Sequence, residues 1–292
     1  MRAYLFSGQG SQHKGMGGEL FERFPAMVDI ADRVLGYSTR EMCADNPENR
    51  LSQTQFTQPL VFLVDALKLE HFKEEGHQVP SFVAGHSLGE YAALLAAEAF
   101  DLETGLRLVQ KRANAMAEID NGGMAAVVGC PGDELADILA GAQCPDLVIA
   151  NRNTALQNVV SGPIDQLDLL EPLVQDAGHS FVPLPVSGAF HSSMMGPARE
   201  VYTEALRSVE FNWLRTQVVS NVEARPYSQG KIKSLLSLQI TEPVRWYDSI
   251  MYMKSMGVRE FVEVGPGSVL TNMLKKIEQE ISSSDSAESR MA

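Results

Sequence analysis

Cysteine, basic residues and long apolar runs are all scarce in this chain. Only three of the 292 residues are cysteine (Cys43, Cys130 and Cys144), and they show no C-x-x-C spacing. An odd number without that spacing favours reduced structural thiols over a disulfide framework or a metal site. The sequence contains no run of about 18 apolar residues and no basic-then-apolar leader. We therefore expect a cytoplasmic protein with no membrane partner.

The balance of charge narrows the choice of partners. Lysine and arginine total 24, aspartate and glutamate total 37, and the formal net charge is −13. Nucleic acid is not an expected partner, because binding to phosphates requires a basic surface that releases counterions. Since 45% of the residues are hydrophobic, the chain can bury the core of one large domain, with or without a smaller inserted one.

Strand and helix patterns alternate along the first third of the chain. The segments AYLFSG and SFVAG have the composition of short buried strands. Residues 18–34, 59–74 and 88–99 have helical apolar spacing. This alternation is typical of an α/β domain built on a parallel sheet.

A different pattern begins after Gly122 and Gly123. The short strands MAAVVGC, LVIAN, NVVSG and SFVPLPV surround helical stretches at 132–141 and 164–178, which is the ferredoxin-like order of elements. The segments TQVVSN and EFVEVG, with a helix near 247–256, then return the chain to the first sheet. We predict a discontinuous large domain at 1–123 and 189–281, an inserted ferredoxin-like subdomain at 124–188 and a polar disordered tail at 282–292.

The segment Gly85-His86-Ser87-Leu88-Gly89 matches G-x-S-x-G, the pattern of a nucleophile elbow. Five residues match by chance often enough that the motif alone is weak, but the predicted strand before it and helix after it favour the functional interpretation. A serine hydroxyl needs a base to take its proton. The backbone N–H of Leu88, at the start of a helix, is a suitable donor to an oxyanion.

Two histidines are candidates for the base. His86 is next to Ser87 in sequence, but its side chain leaves the turn beside the serine, which favours a structural role. His191 lies in PVSGAFHSSMM, where the predicted insertion rejoins the large domain, and such junctions commonly form clefts. We predict that His191 is the base. The alternative is a junction histidine bonded to backbone.

Seven motifs together make the sequence resemble a known family. They are FSGQGSQ, TQP, GHSLGE, KRANAM, GAFHSSMM, EPVRW and EVGPGSVL. In this order, over residues 1 to about 280, the chain resembles the malonyl-CoA:acyl carrier protein transacylases. The segments LSQTQFTQP and SGAFHS are similar to the discrete acyltransferases that serve modular polyketide synthases in trans, more than to the fatty-acid enzyme. The resemblance implies an α/β-hydrolase-like large domain, malonyl-CoA and acyl carrier protein as partners, and no metal or cofactor.

The resemblance also implies roles for individual residues. Ser87 would carry the acyl group, and His191 would act as base, its second nitrogen held by the backbone carbonyl of Gln239. The backbone N–H groups of Leu88 and Gln9 would form the oxyanion hole. Contacts to the acyl group are implied for Gln58, Phe190 and Asn153. Asn151 is a further pocket candidate, although both asparagines also suit turn caps, and Phe190 also suits the core at the domain junction.

Arg112 bears on the choice of substrate. It belongs to LRLVQKRANAM, where Arg107, Lys111 and Arg112 together have the ordinary interpretation of a solvated basic helix face. The resemblance instead points the Arg112 guanidinium at the malonyl carboxylate, which its fork of donors fits bidentately.

Two other functions use the same features. An acyl hydrolase that removes stalled acyl groups from carrier proteins would share the fold without needing Arg112. A non-catalytic docking module for carrier proteins would need neither Ser87 nor His191. A patatin-like lipase is disfavoured because the sequence contains no D-G-G motif.

Overall fold

The computed structural model describes residues 1–186 and 188–291, with side chains described as far as residue 283. The described strands and helices, in chain order, are β1 (Arg2–Phe6), α1 (Leu20–Arg23), α2 (Pro25–Leu35), α3 (Thr39–Asp45), α4 (Thr54–Glu74), β2 (Phe82–Gly85), α5 (Gly89–Ala96), α6 (Leu102–Ala117), β3 (Gly123–Val128), α7 (Gly132–Gly141), β4 (Val148–Arg152), β5 (Gln157–Gly162), α8 (Ile164–Asp176), β6 (Ser180–Pro183), α9 (Gly196–Arg207), β7 (Gln217–Val219), α10 (Ile232–Leu238), α11 (Trp246–Ser255), β8 (Glu260–Val264) and α12 (Val269–Met291). Short 3-10 turns lie at Pro47–Ser52, Ser193–Met195 and Gln229–Lys231. Over the residues described, no helix has the length and apolar character needed to cross a bilayer.

Four parallel strands form the first sheet, in the order β7-β2-β1-β8. The central strands β1 and β2 are apolar and buried almost throughout, as expected when helices cover both faces of a parallel sheet. In the register of the sheet, Phe6 pairs with both Gly85 and Val264. The loops that follow β1, β2 and β8 therefore leave the sheet at one edge, where α/β proteins usually bind ligands.

The second sheet is antiparallel, with strand order β4-β5-β3-β6. This is the predicted ferredoxin-like arrangement, and the predicted α/β class with two sheets is confirmed. Alternation along β3 divides its side chains between two faces. Ala125 and Val127 join a small core with residues of α7 and α8, whereas Met124 and Ala126 join the core of the large domain. The exact boundaries 1–123, 124–188 and 189–281 remain predictions.

The end of the chain differs from the prediction. Helix α12 runs from Val269 to Met291, so the segment predicted as a disordered tail is helical as far as Met291, and Ala292 lies outside the described residues. Neither glycine nor proline follows Gly267 to end the helix. Leu270 and Ile277 anchor its first turns in an apolar cluster with residues of α11. The sequence analysis predicts no helix at α3, α10 or α12, although Leu270, Met273, Leu274 and Ile277 of α12 have helical apolar spacing.

A close approach of backbones fixes the turn between β2 and α5. A Cβ atom at Gly89 would overlap the carbonyl oxygens of Phe6 and Ser7, and one at Gly85 would overlap the backbone of Gly89. Only glycine lets the helix start this near to the end of β1.

We expect Gly89→Ala to lower the free energy of unfolding by about 1–3 kcal/mol, because the added methyl group forces backbone to move. Chemical denaturation would measure it. Gly141→Ala is the matched control, since a Cβ at that position of α7 meets no atom within 4 Å, and it should leave stability unchanged or raise it by up to about 1 kcal/mol. Equal effects of the two substitutions would contradict the packing argument.

Candidate active site

Ser87 lies on the tight turn between β2 and α5, as the elbow motif predicts. Its φ of 51° is in the left-handed region, a strained conformation for a residue with a side chain. Asn221, in the turn just after β7, stabilises the elbow: its Oδ1 accepts a hydrogen bond from Ser87 N at 2.8 Å, and its Nδ2 donates one to Gly85 O at 2.7 Å. On the other side His86 N donates to Phe6 O at 3.2 Å. The strained turn is therefore held at both ends.

The hydroxyl of Ser87 lies 2.8 Å from Nε2 of His191. The other ring nitrogen of His191, Nδ1, lies 2.8 Å from the carbonyl oxygen of Gln239 and 3.2 Å from that of Glu242. Because both carbonyls only accept, Nδ1 carries the hydrogen and Nε2 presents its lone pair to the serine. Burial, with a further effect from the charge of Arg112, lowers the pKa of His191 to about 3. The imidazole is thus neutral near pH 7 and can accept a proton.

Arg112 is fully buried beside this pair. Its Nη2 donates to Ser87 Oγ at 3.1 Å and to Gln239 Oε1 at 2.9 Å, and its Nη1 donates to Gln58 Oε1 at 2.6 Å. The interpretation of a solvated basic face is wrong for Arg112, although it holds for the exposed Arg107 and Lys111. The direct partners of the guanidinium among the described residues are neutral oxygens, so this charge has no bonded counterion.

Gln239 connects these groups with its side chain as well as its backbone. Nε2 of Gln239 donates to the carbonyl of Ser87 at 2.7 Å and to Glu90 Oε2 at 2.6 Å, while Oε1 accepts from Arg112. The sequence implied only a carbonyl contact for this residue.

Glu90 is a fully buried carboxylate that the sequence analysis missed. Its Oε1 accepts from Asn221 N at 2.9 Å and from the hydroxyl of Tyr227 at 2.7 Å. Burial raises its pKa to about 7, and hydrogen bonds from Tyr227, Asn221 and Gln239 oppose the rise. A sequence signal existed, because Glu90 is the charged residue at the start of the otherwise apolar helix GEYAALLA. Asn221, which was also missed, carried no comparable signal.

The two amides predicted as an oxyanion hole lie on adjoining loops. Leu88 caps the N-terminus of α5, and Gln9 lies in the loop after β1, beside Gly8. Within the described part of the chain, neither backbone N–H donates a hydrogen bond. A Cβ at Gly8 would overlap the carbonyl oxygen of His86, so glycine is required for this loop to reach the elbow. Both amides remain available to a ligand.

A cavity of about 230 Å³ opens above Ser87, between the two sheets. Its wall includes the predicted contacts Gln58, Phe190 and Asn153, together with Asn151. Oδ1 of Asn153 lies 2.9 Å from His86 Nε2, so the His86 ring contacts a side-chain amide in the loop just after β4. The apolar part of the wall comes from the second sheet, the segment after β6, and helices α6 and α12: Met116, Met124, Ala126, Val159, Leu184, Val186 and Met273.

Comparison with known proteins confirms the predicted resemblance. The acyl transferase domain family matches residues 3–290. The Bacillus subtilis polyketide biosynthesis malonyl CoA-acyl carrier protein transacylase PksC is 46% identical over 283 residues, which cover 96% of this chain and 98% of that protein. The Burkholderia thailandensis polyketide biosynthesis protein ThaF is 46% identical over 278 residues, and the match spans 95% of this chain but only 24% of that protein.

A solved structure agrees with these sequence relatives. The crystal structure of a malonyl CoA-acyl carrier protein transacylase from Burkholderia pseudomallei is 43% identical, covers 96% of this chain and 98% of its own, and superposes with a TM-score of 0.93. Ser87 is hydrogen-bonded to both His191 and the buried Arg112, and the chain belongs to the acyl transferase domain family and, within it, to the malonyl CoA-acyl carrier protein transacylases.

Proposed function

We propose that this enzyme transfers a malonyl group from malonyl-CoA to the phosphopantetheine thiol of an acyl carrier protein, through a malonyl ester on Ser87. The observation that carries the proposal is the position of Ser87 Oγ, between a neutral imidazole at 2.8 Å and a buried guanidinium at 3.1 Å. One group activates the hydroxyl, and the other recognises an acidic acyl group.

The first half-reaction follows from the hydrogen bonds at Ser87. Nε2 of His191 takes the hydroxyl proton as Oγ attacks the thioester carbonyl, and the amides of Leu88 and Gln9 donate to the oxyanion. When the tetrahedral intermediate collapses, the C–S bond breaks and the proton passes from His191 to the departing thiolate of CoA. General acid–base catalysis of this kind contributes about 10²–10⁴-fold, and each oxyanion donor about 10²–10³-fold.

The second half-reaction repeats these steps in the opposite direction. His191 removes the proton from the phosphopantetheine thiol, the thiolate attacks the ester carbonyl, and the proton returns to Ser87 Oγ as the C–O bond breaks. The carbonyls of Gln239 and Glu242 stabilise the imidazolium that forms in each half, because both accept from its Nδ1–H. A serine–histidine pair is sufficient for this chemistry.

Arg112 supports malonyl as the acyl group. A buried cation bonded only to neutral oxygens gains most from a ligand that brings a negative charge. An acyl group attached to Ser87 Oγ would extend from an atom that Arg112 already contacts, so a terminal carboxylate lies within reach of the guanidinium. An acetyl group has no carboxylate to offer.

The relatives support the partner and the pathway class. The name of PksC specifies an acyl carrier protein, and both PksC and ThaF are named as polyketide biosynthesis proteins. We infer that this enzyme serves a polyketide synthase in trans. Fatty acid synthesis is the alternative role for the same reaction.

Exposure to malonyl-CoA should leave a malonyl ester on the wild type and none on Ser87→Ala, as measured by mass spectrometry of the intact protein. His191→Ala should slow the formation of the ester by about 10²–10⁴-fold. The loaded enzyme should then lose the ester quickly to a phosphopantetheinylated carrier protein and slowly to water. An ester lost as fast to water would favour the hydrolase alternative, and no ester on the wild type would leave only the docking module.

Removing the guanidinium of Arg112 should change the preference between malonyl-CoA and acetyl-CoA as acyl donors. Arg112→Ala should reduce kcat/KM for malonyl-CoA by the equivalent of about 2–5 kcal/mol, the usual loss when one member of a buried charge pair is truncated. The reduction in kcat/KM for acetyl-CoA should be far smaller. Lys111→Ala, the exposed neighbour on α6, is the control and should affect neither donor. Equal losses for both donors would show that Arg112 only supports the structure.

Phe190 should limit branching of the acyl group, because its ring lines the cavity directly before His191. Pocket contacts with one methyl group discriminate by about 1–3 kcal/mol. We expect the wild type to load malonyl faster than methylmalonyl, and Phe190→Ser to narrow the ratio of the two kcat/KM values. Phe211→Ser, a half-buried phenylalanine outside the cavity, should leave the ratio unchanged. An unchanged ratio in a folded Phe190→Ser variant would assign Phe190 to the core alone.

A further inference from the structure

We propose that Glu90 is a positioning residue for recognition of the acyl carboxylate: it fixes the orientation of the Gln239 side-chain amide and thereby holds Arg112 toward Ser87. The inference rests on the proposed function and adds a residue to it. Glu90 takes no direct part in the half-reactions above, since its carboxylate is hydrogen-bonded to neither Ser87 Oγ nor the His191 ring among the described residues.

The surroundings of Glu90 suit a group that only accepts hydrogen bonds. The backbone N–H of Asn221 must donate, and it points at Oε1 from 2.9 Å. The hydroxyl of Tyr227 lies 2.7 Å from the same oxygen, and Nε2 of Gln239 lies 2.6 Å from Oε2. An ionised carboxylate satisfies all of these donors, whereas an amide offers one acceptor and two donors.

The orientation of Gln239 follows from this chemistry. A glutamine amide has a donor end and an acceptor end, and rotating it by 180° exchanges them. With Nε2 toward Glu90 and the carbonyl of Ser87, both of which accept, Oε1 faces Nε and Nη2 of Arg112 at 3.2 and 2.9 Å. In the opposite orientation, the NH₂ group would face the guanidinium, donor against donor. Glu90 excludes that orientation.

The same chain of atoms links two opposite charges. Arg112 lacks a directly bonded carboxylate among the described residues, and Glu90 is separated from it by the single amide of Gln239. The amide dipole is aligned between them, with its oxygen toward the cation and its nitrogen toward the anion. Since burial raises the pKa of Glu90 to about 7, assays at pH 8 keep the carboxylate mostly ionised.

The decisive variant is Glu90→Gln, which keeps the size and removes the second acceptor. The rate of Ser87 acylation at pH 8 is measured with malonyl-CoA and with acetyl-CoA. The malonyl-to-acetyl ratio should fall about tenfold, in the range of coupling within one hydrogen-bond network. In an Arg112→Ala background, Glu90→Gln should change the rate of malonyl acylation by less than about twofold, because there is no guanidinium left for Gln239 to orient. Thermal unfolding reports whether each variant is folded.

Tyr227→Phe is the matched control. It removes the other side-chain donor to Glu90 but leaves the contact with Gln239, so the ratio should stay within about twofold of the wild type. Two results would overturn the proposal and make Glu90 a structural residue. One is an equal loss of acylation rate with malonyl-CoA and acetyl-CoA in Glu90→Gln; the other is a double variant whose malonyl acylation rate falls by the product of the two single effects.

Two further outcomes are separable. If Glu90→Gln does not fold, Glu90→Asp is tested in its place, because aspartate keeps both carboxylate oxygens but is shorter by one methylene. A wild-type malonyl-to-acetyl ratio in Glu90→Asp would overturn the proposal. If the wild type acquires no malonyl ester, the proposed function itself fails and the inference fails with it. If the wild type acquires the malonyl ester but Glu90→Gln keeps the wild-type malonyl-to-acetyl ratio, the inference about Glu90 fails and the proposed function stands.

Discussion

A positive charge kept away from water is the constraint on which this site depends. Removing an ion from water costs on the order of several kcal/mol even after the protein relaxes, and the guanidinium of Arg112 is completely buried. Oxygens of Gln58, Gln239 and Ser87 surround it. These oxygens come from three parts of the chain: the elbow, helix α4 and the segment after α10. Burial of this one cation therefore requires the three parts to lie side by side.

The same constraint explains why the base needs no carboxylate. Nδ1 of His191 is held by carbonyls of the segment that also supplies the Gln239 side chain. A carboxylate at that position would lie close to Arg112 and compete with a substrate carboxylate for it. Neutral acceptors orient the ring and leave the cation for the ligand.

Residues with a local signal were predictable from the sequence, and residues placed by distant contacts were not. Ser87 lies in a motif at a predicted strand–helix joint, and His191 lies at a predicted domain junction; the structure brings them within 2.8 Å. Glu90 and Asn221 are 131 residues apart in sequence and meet only in the folded chain. The helical state of residues 282–291 was missed because polar composition suggested disorder, whereas the buried contacts that begin α12 lie further back, at Leu270 and Ile277.

The backbone at Ser87 is left-handed, and so is the backbone at His191, with φ values of 51° and 58°. Such conformations each cost on the order of 1–3 kcal/mol for residues with side chains. The two residues of the reacting pair are therefore among the positions where the backbone of this fold is most strained. Glycine would relieve the strain at either one and abolish the chemistry. Activity and stability are in direct opposition at these two positions, and a search for stabilising substitutions that ignored function would select against the enzyme.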